Sequence, residues 1–469
     1  MIRPLLENEW RALVRDGRGK LILTLGVLLA LVATWTASST DARERAGQTH
    51  ATDEARSAWL ERDADHPHSR AHYGDYVFRP SGPLAGLDSG LQMATGRAVR
   101  VEAHYQNAAV HTPQREASVL LRFDRLEPST VLQLLAPLIV ILIGFGAISS
   151  ERESGRLKLL RIQGARPLPL LLAKSFALWT VGAVVCLFVI GAHLLFAEGA
   201  EVGRTLAFAA LHLAVLAIVS VLVTCISATF RRPGTAAAVL LCLWVCGGIL
   251  LPRVAAMTAG TVHPLPDRDA FQAAMREDRE QGLDGHNPRD ARRLEYEQKV
   301  LAENGVESKE DLPFNLDGIL MQADEDYGNQ VWDEHFGRLE ERMLRQSAFA
   351  ALFSVVNPLQ VADRVSMAIA GTDLRSNLAF LRQAEDYRRQ LVKSLNDEHA
   401  YGGSLTGERA WRPEKEFYAG FASFEYRPPA LATLLGAHRL ELLSLGLWGI
   451  GAVLFLGVSA RRLEQGGGL

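Results

Sequence analysis

Six apolar runs constrain this chain more than any other feature. They occupy residues 21–37, 131–150, 168–197, 205–230, 235–251 and 442–460. About 20 apolar residues at ~1.5 Å rise cross a ~30 Å hydrocarbon layer, and only helices or closed barrels satisfy their backbone groups there. The chain is therefore expected to be an α-helical polytopic membrane protein with six transmembrane helices. The third run is longer than a span needs, so its spanning part is placed at 175–197, after Pro167 and Pro169. The overall figures, net charge −3 and 48% hydrophobic residues, look soluble only because they average these runs with long polar stretches.

Basic residues orient the spans, because Lys and Arg accumulate on the cytoplasmic side. They cluster before the first span (Arg3, Arg11, Arg15, Arg18, Lys20) and between the second and third (Arg152, Arg156, Lys158, Arg161, Arg166, Lys174). They recur between the fourth and fifth (Arg231, Arg232) and after the last (Arg461, Arg462). Six spans with both termini in the cytoplasm place every cluster on one side. The first run has acidic residues in its flank (Glu7, Glu9, Asp16) and no clean small-residue cleavage site after it. It is expected to be a retained helix and not a signal peptide.

The expected organisation is an interfacial helix at 1–20, spans at 21–37, 131–150, 175–197, 205–230, 235–251 and 442–460, a cytoplasmic loop at 151–174, and a tail at 461–469. Two extracytoplasmic segments, 38–130 and 252–441, complete it as a large, mostly helical domain with minor β structure. In the first segment a charged helix is expected over about 41–63. "RAVRVEAHYQN" and "ASVLLRF" read as short strands. In the second, "RDAFQAAMREDREQG", "NPRDARRLEYEQKVLAENG" and the stretch ending "MLRQSAFAALFSVVNPL" read as helices. The last carries an apolar stripe (Phe349, Leu352, Phe353, Val356) too short to span and is expected to end at Pro358. Asp373 stands where a helix N-cap belongs. All four cysteines, Cys186, Cys225, Cys242 and Cys246, lie in the expected spans, where they read as small packing residues.

The loop 151–174 leaves hydrocarbon, shows a short charged helix and re-enters. Leu157, Leu160 and Ile162 read as its apolar side and Arg152, Arg156, Lys158 and Arg161 as its wet side. Gly155 and Gly164 bracket it. It is either a plain connector whose charges anchor topology or the place where a soluble partner pushes. Its order of residues resembles the ABC-2 type permease family. The matching positions are Glu151, Glu153, Gly155, Leu157, Leu159, Leu160, Gly164, Arg166 and Lys174, with Arg156 standing where that family usually has Thr. "ENEWRALVRDGRGKLIL" is similar to the family's interfacial helix. The polar segments resemble a bacterial subgroup with large extracytoplasmic insertions, related to the multi-copper enzyme maturation permease group. That label is not carried over as a substrate.

The resemblance implies a permease subunit of an ATP-binding cassette transporter, an exporter, in the bacterial inner membrane. It implies pairing with a second permease subunit, self or sister, and a separate ATPase under each, which binds ATP and magnesium. Glu151, Arg152, Glu153, Gly155, Arg156, Leu157, Leu160, Arg161, Gly164, Arg166 and Lys174 would then couple to that ATPase. An alternative is a mechanical device in which hydrolysis moves the outer domain to act on periplasmic cargo. A membrane-anchored assembly factor without an ATPase is another. No cofactor and no nucleic acid is expected on this chain. Gly19-Lys20 lacks the phosphate-loop pattern, with Val14 for the first Gly and Leu21 for the Ser or Thr. "GGSLTG" has Thr406 where a nucleophile elbow needs Gly.

Two histidine groups stand out. His193 and His212 flank the short third-to-fourth connection at comparable depth. They form either an outer polar constriction on a substrate path or interfacial histidines bonded to a carbonyl or to each other. His66, His68 and His72 could bind zinc or copper. Pro67 interrupts a helical ligand face, and no cysteine is near, so a solvated loop is the expectation there.

Overall fold

The computed structural model describes residues 2–63, 65–111, 126–197, 199, 201–408 and 410–465; the expected strand "ASVLLRF" lies outside them. Among the described residues, six helices are long and apolar enough to cross a membrane: Gly17–Glu61, Pro128–Glu153, Pro167–Phe196, Val202–Thr229, Pro233–Val262 and Arg439–Gln465. The second, third and fourth are 50%, 44% and 50% buried over their most apolar stretch and form the centre of the bundle. The fifth, 11% buried, is peripheral.

Three of these helices differ from the sequence expectation. The first runs unbroken for 45 residues, fusing the span and the charged helix expected separately over 41–63. The Ser/Thr stretch between them does not stop it, because hydroxyls such as those of Thr34 and Thr36 bond back to carbonyls of their own helix. Its length is about 68 Å at ~1.5 Å per residue, more than twice the hydrocarbon thickness. The third helix begins at Pro167, not near Ser175. Proline is accommodated in a first turn, where backbone N–H groups have no helical partner anyway. Lys174 therefore lies two turns inside that helix. The fifth helix continues past Leu251 to Val262 through a π turn at Cys246–Leu250, where Asn357 Nδ2 donates to the Gly247 carbonyl at 2.7 Å. Cys186 and Cys225 are buried as packing residues, whereas Cys242 is exposed on the sparsely covered fifth helix and Cys246 half-buried.

The two polar segments fold as one domain. Strands β1 (Asp75–Phe78), β2 (Ala98–Glu102) and β3 (Tyr105–Gln106) make an antiparallel sheet in that order, with Val77 opposite Val99 and Glu102 opposite Tyr105. Its buried face (Val77, Val99, Val101) packs with Trp59 from the end of the first spanning helix and with Phe380, Leu391 and Leu395 of helix Leu374–Tyr401. Asp373 caps that helix as expected, accepting from the Ser376 N–H at 3.1 Å. Helices Arg268–Gln281, Arg289–Asn304 and Leu316–Ala351 complete the domain. Pro358 does more than stop a helix: it opens the next, Pro358–Ala370, capped by Asn357.

That helix seats the domain on the bundle. Its Val361, Val365 and Ile369, with Leu84 and Leu87 from the first polar segment, share one core with Ala30, Val131, Val185 and Phe208 of the spanning helices. The short helix Ile2–Arg15 lies along the third spanning helix, where Trp10 Nε1 donates to Thr180 Oγ1 at 3.2 Å. The chain thus has a polar-domain end and an opposite end, where Ile2–Arg15 and the 151–166 connector meet.

Candidate functional site

The connector is two short helices in series, Ser149–Glu153 and Arg156–Ile162, joined at Gly155. Gly155 has φ of +75° and Gly164 +89°. This is the left-handed region that only glycine adopts at little cost. Gly164 closes the second helix as a Schellman turn: its N–H reaches the Arg161 carbonyl, and that of Ala165 reaches the Leu160 carbonyl at 3.0 Å.

Three charged side chains bolt this unit to its neighbours. Lys174 Nζ lies 2.9 Å from both Glu9 Oε1 and Glu151 Oε1, with its side chain 4% exposed. One buried ammonium thus ties the N-terminal helix, the connector and the third spanning helix together. Arg152 donates to the Phe230 and Ala228 carbonyls at 2.9 and 2.7 Å, at the C-terminal end of the fourth spanning helix. Arg161 donates to the Leu463 carbonyl at 2.9 Å, at the end of the sixth. Both guanidiniums sit where helix ends leave carbonyls without helical partners and the helix dipole is negative. Ser227 Oγ accepts from the Ile148 and Ser149 N–H groups, closing the junction.

Leu157 and Leu160 face inward against Leu5, Leu170, Leu171 and Leu463. Ile162 does not join them. At ~100° per residue it lies about 140° around the helix from Leu157. It is 74% exposed, beside Leu159 at 60%. The outward surface therefore carries Glu153, Arg156, Lys158, Leu159, Ile162, Gly164 and Arg166. Of the sequence candidates, Glu151, Arg152, Leu157, Leu160, Arg161 and Lys174 hold the connector in place, while Glu153, Gly155, Arg156, Gly164 and Arg166 are presented outward. Glu9 was noted from the sequence only as an acid flanking the first span, not as a partner of Lys174.

At the other end, His193 and His212 do not behave as a pair. His193 is buried, and neither ring nitrogen has a hydrogen-bond partner among the described residues. His212 Nδ1 bonds the Phe208 carbonyl at 2.8 Å, which leaves Nε2 to accept a weak contact from Gln133 Nε2 at 3.5 Å. Gln133 also donates to Ser366 Oγ at 3.0 Å, and Ser366 bonds Asp88. A polar chain thus runs from the fourth and second spanning helices into the seat of the polar domain. Burial first, then the like charges of Glu127 and Asp363, push the Asp88 carboxyl up to about 8.

The expected solvated loop at His66 is instead a helix, Pro67–Tyr73, because Pro67 occupies its first position. His66 caps it, accepting from the His68 N–H at 3.2 Å, and its ring packs 4.3 Å from that of His399. His68 and His72, four apart on one face, meet Nε2 to Nε2 at 3.0 Å. His104, which sequence reading missed, joins them from the β2–β3 turn. Burial and the neighbouring His72 and His104 hold the His68 ring down to about 4, so it is neutral near pH 7.

Six apolar helices, a minor sheet and one polar domain made from two insertions define a helical polytopic membrane protein with a domain mounted on one end of its bundle. The family model described as ABC-2 family transporter protein matches residues 3–304, and the chain belongs to that family. It is a transmembrane permease subunit of an ABC transporter. A second model, Domain of unknown function (DUF3526), matches residues 268–427, most of the polar domain's helices. A comparison with the curated proteins finds no match to the chain.

Proposed function

We propose that this chain is the permease half of an exporter in the bacterial inner membrane, driven by a separate ATPase that docks on the connector. The observation that carries the reading is the division of labour within residues 151–174. Lys174, Arg152 and Arg161 lock the connector to three spanning helices and to Ile2–Arg15. Leu159 and Ile162, in the company of Glu153, Arg156, Lys158 and Arg166, face outward and are left exposed by the described residues. An exposed apolar pair inside a charged rim is how a transient protein interface is built. A push there would be transmitted to the third, fourth and sixth spanning helices at once. ATP and magnesium belong to the partner, two ATPases serve a pair of permeases, and the polar domain lies outside the cytoplasm.

Ile162→Asp and Glu153→Lys each alter only an exposed side chain. Both variants are expected to insert and melt like the parent protein while losing co-purification of the ATPase. Where the complex survives, an insertion between Gly155 and Gly164 should abolish substrate-stimulated hydrolysis. Full stimulation in all three variants would refute the docking assignment.

One observation favours a second reading, in which hydrolysis moves the polar domain against external cargo. The first spanning helix is a continuous rod from Gly17 into the polar domain's core at Trp59. Cargo flux into inverted vesicles separates the two: flux supports export, and nucleotide-dependent movement of the domain without flux supports the mechanical device.

A further inference from the structure

We propose that His68, His72 and His104 form a binding site for one divalent transition-metal ion, zinc or copper, in the polar domain. Three observations carry it. His68 and His72 stand one helical turn apart on Pro67–Tyr73, their Nε2 atoms 3.0 Å from each other. A tetrahedral ion with ~2.0–2.1 Å bonds to nitrogen sets its ligand atoms about 3.3 Å apart. The ligand atoms of all three residues lie within 4.8 Å of one another, close to that spacing.

The second observation is the support behind His104. Its Nδ1 lies 2.6 Å from Glu325 Oε1, which also accepts its backbone N–H at 2.6 Å. A carboxylate on one ring nitrogen fixes the tautomer and leaves Nε2 as the ligand atom, the usual arrangement behind a metal-bound histidine. Glu325 is itself held by Arg388 at 3.1 Å.

The third is the backbone. His104 occupies the second position of the two-residue β2–β3 turn with φ of +67°. A glycine would take this conformation at lower cost, and the turn sets the His104 ring 4.8 Å from that of His72 and 5.8 Å from that of His68. Arg279 also reaches this turn. It donates to the His104 carbonyl and lies 3.5 Å from Nδ1, but Asp324 at 3.2 Å offsets its charge. His72 is exposed and the other two rings are partly so, which leaves an entry path and a coordination position for water or a further ligand. Neutral imidazoles select zinc or copper(II) over the oxygen-seeking magnesium and calcium.

The site is independent of the transport reading. The test uses the tag-free, full-length protein in detergent, stripped with chelator and then loaded with zinc or with copper(II) in separate arms. Metal per chain is measured after desalting, and affinity by competition with a chromophoric chelator. About one tightly held ion per chain is expected, from the metal the site prefers. The double variant His68→Ala/His72→Ala should lose it, and Glu325→Gln should weaken it roughly 10–100-fold. His50→Ala, an exposed histidine on the first spanning helix, should leave it unchanged. Melting of each metal-free variant confirms folding, and should Glu325→Gln fail that check, the double variant decides. Undiminished binding by a folded double variant, or no stoichiometric binding of either metal by the parent, overturns the site.

Discussion

At the residue scale, the most consequential side chain is Lys174. Its ammonium answers two carboxylates, Glu9 and Glu151, in a place with little water. Lys174→Met would leave two half-buried acids facing each other, a loss of up to about 3 kcal/mol, the low end of the cost of breaking a buried pair. The expected result is a lower melting temperature and faster proteolytic release of the N-terminal helix. Adding Glu9→Gln and Glu151→Gln to that variant should restore most of the loss, because no uncompensated charge then remains. Asp88 makes a pH prediction. Its folded-state carboxyl titrates near 8, far above an unfolded aspartate near 4. Between those values the unfolded chain has released a proton that the folded chain still holds, so stability falls as pH rises, with a slope of about one proton. Asp88→Asn can keep the Gly90 and Ser366 contacts and carries no titration. Its melting temperature should therefore change less across pH 4–8 than that of the parent, gaining at the alkaline end.

At the scale of elements, the 45-residue first helix is the feature that most changes the picture. The hydropathy pattern ends near Ala37, so a span and a separate charged helix were the natural reading. Periodicity reports which face is wet, not whether the backbone is continuous, and only a proline or glycine pair would have announced a break. If the helix works as a rod, a kink outside the membrane should disconnect its ends. Ala46 is exposed midway along the polar stretch. Ala46→Pro removes one hydrogen bond and costs about 3 kcal/mol in a helix interior. Loss of transport or domain movement with ATP hydrolysis retained is the expected outcome, with Ala46→Ser as the silent control. Normal activity in a kinked variant would count against a rod.

At the scale of the whole molecule, the contrast lies between what neighbours in sequence decide and what neighbours in space decide. Six spans, the short charged connector between the second and third, and the helical character of the second polar segment were legible in residues 21–37, 131–251 and 252–460, because hydrocarbon length, charge and periodicity are local properties. The inward Leu157 and Leu160 were legible for the same reason, whereas Ile162 was assigned to the wrong face by composition without angle. Nothing local could say that Lys174 meets Glu9 across 165 positions, that residues 38–111 and 252–441 share one core, or that His104 and Glu325 stand behind His68 and His72. Those contacts arise when distant segments pack to bury apolar surface, and charges and rings are then paired by whatever lies opposite. The sequence by itself determined the membrane class and the presence of the connector. The tertiary structure decided which charges hold that connector, which side chains it shows, and which histidines come together.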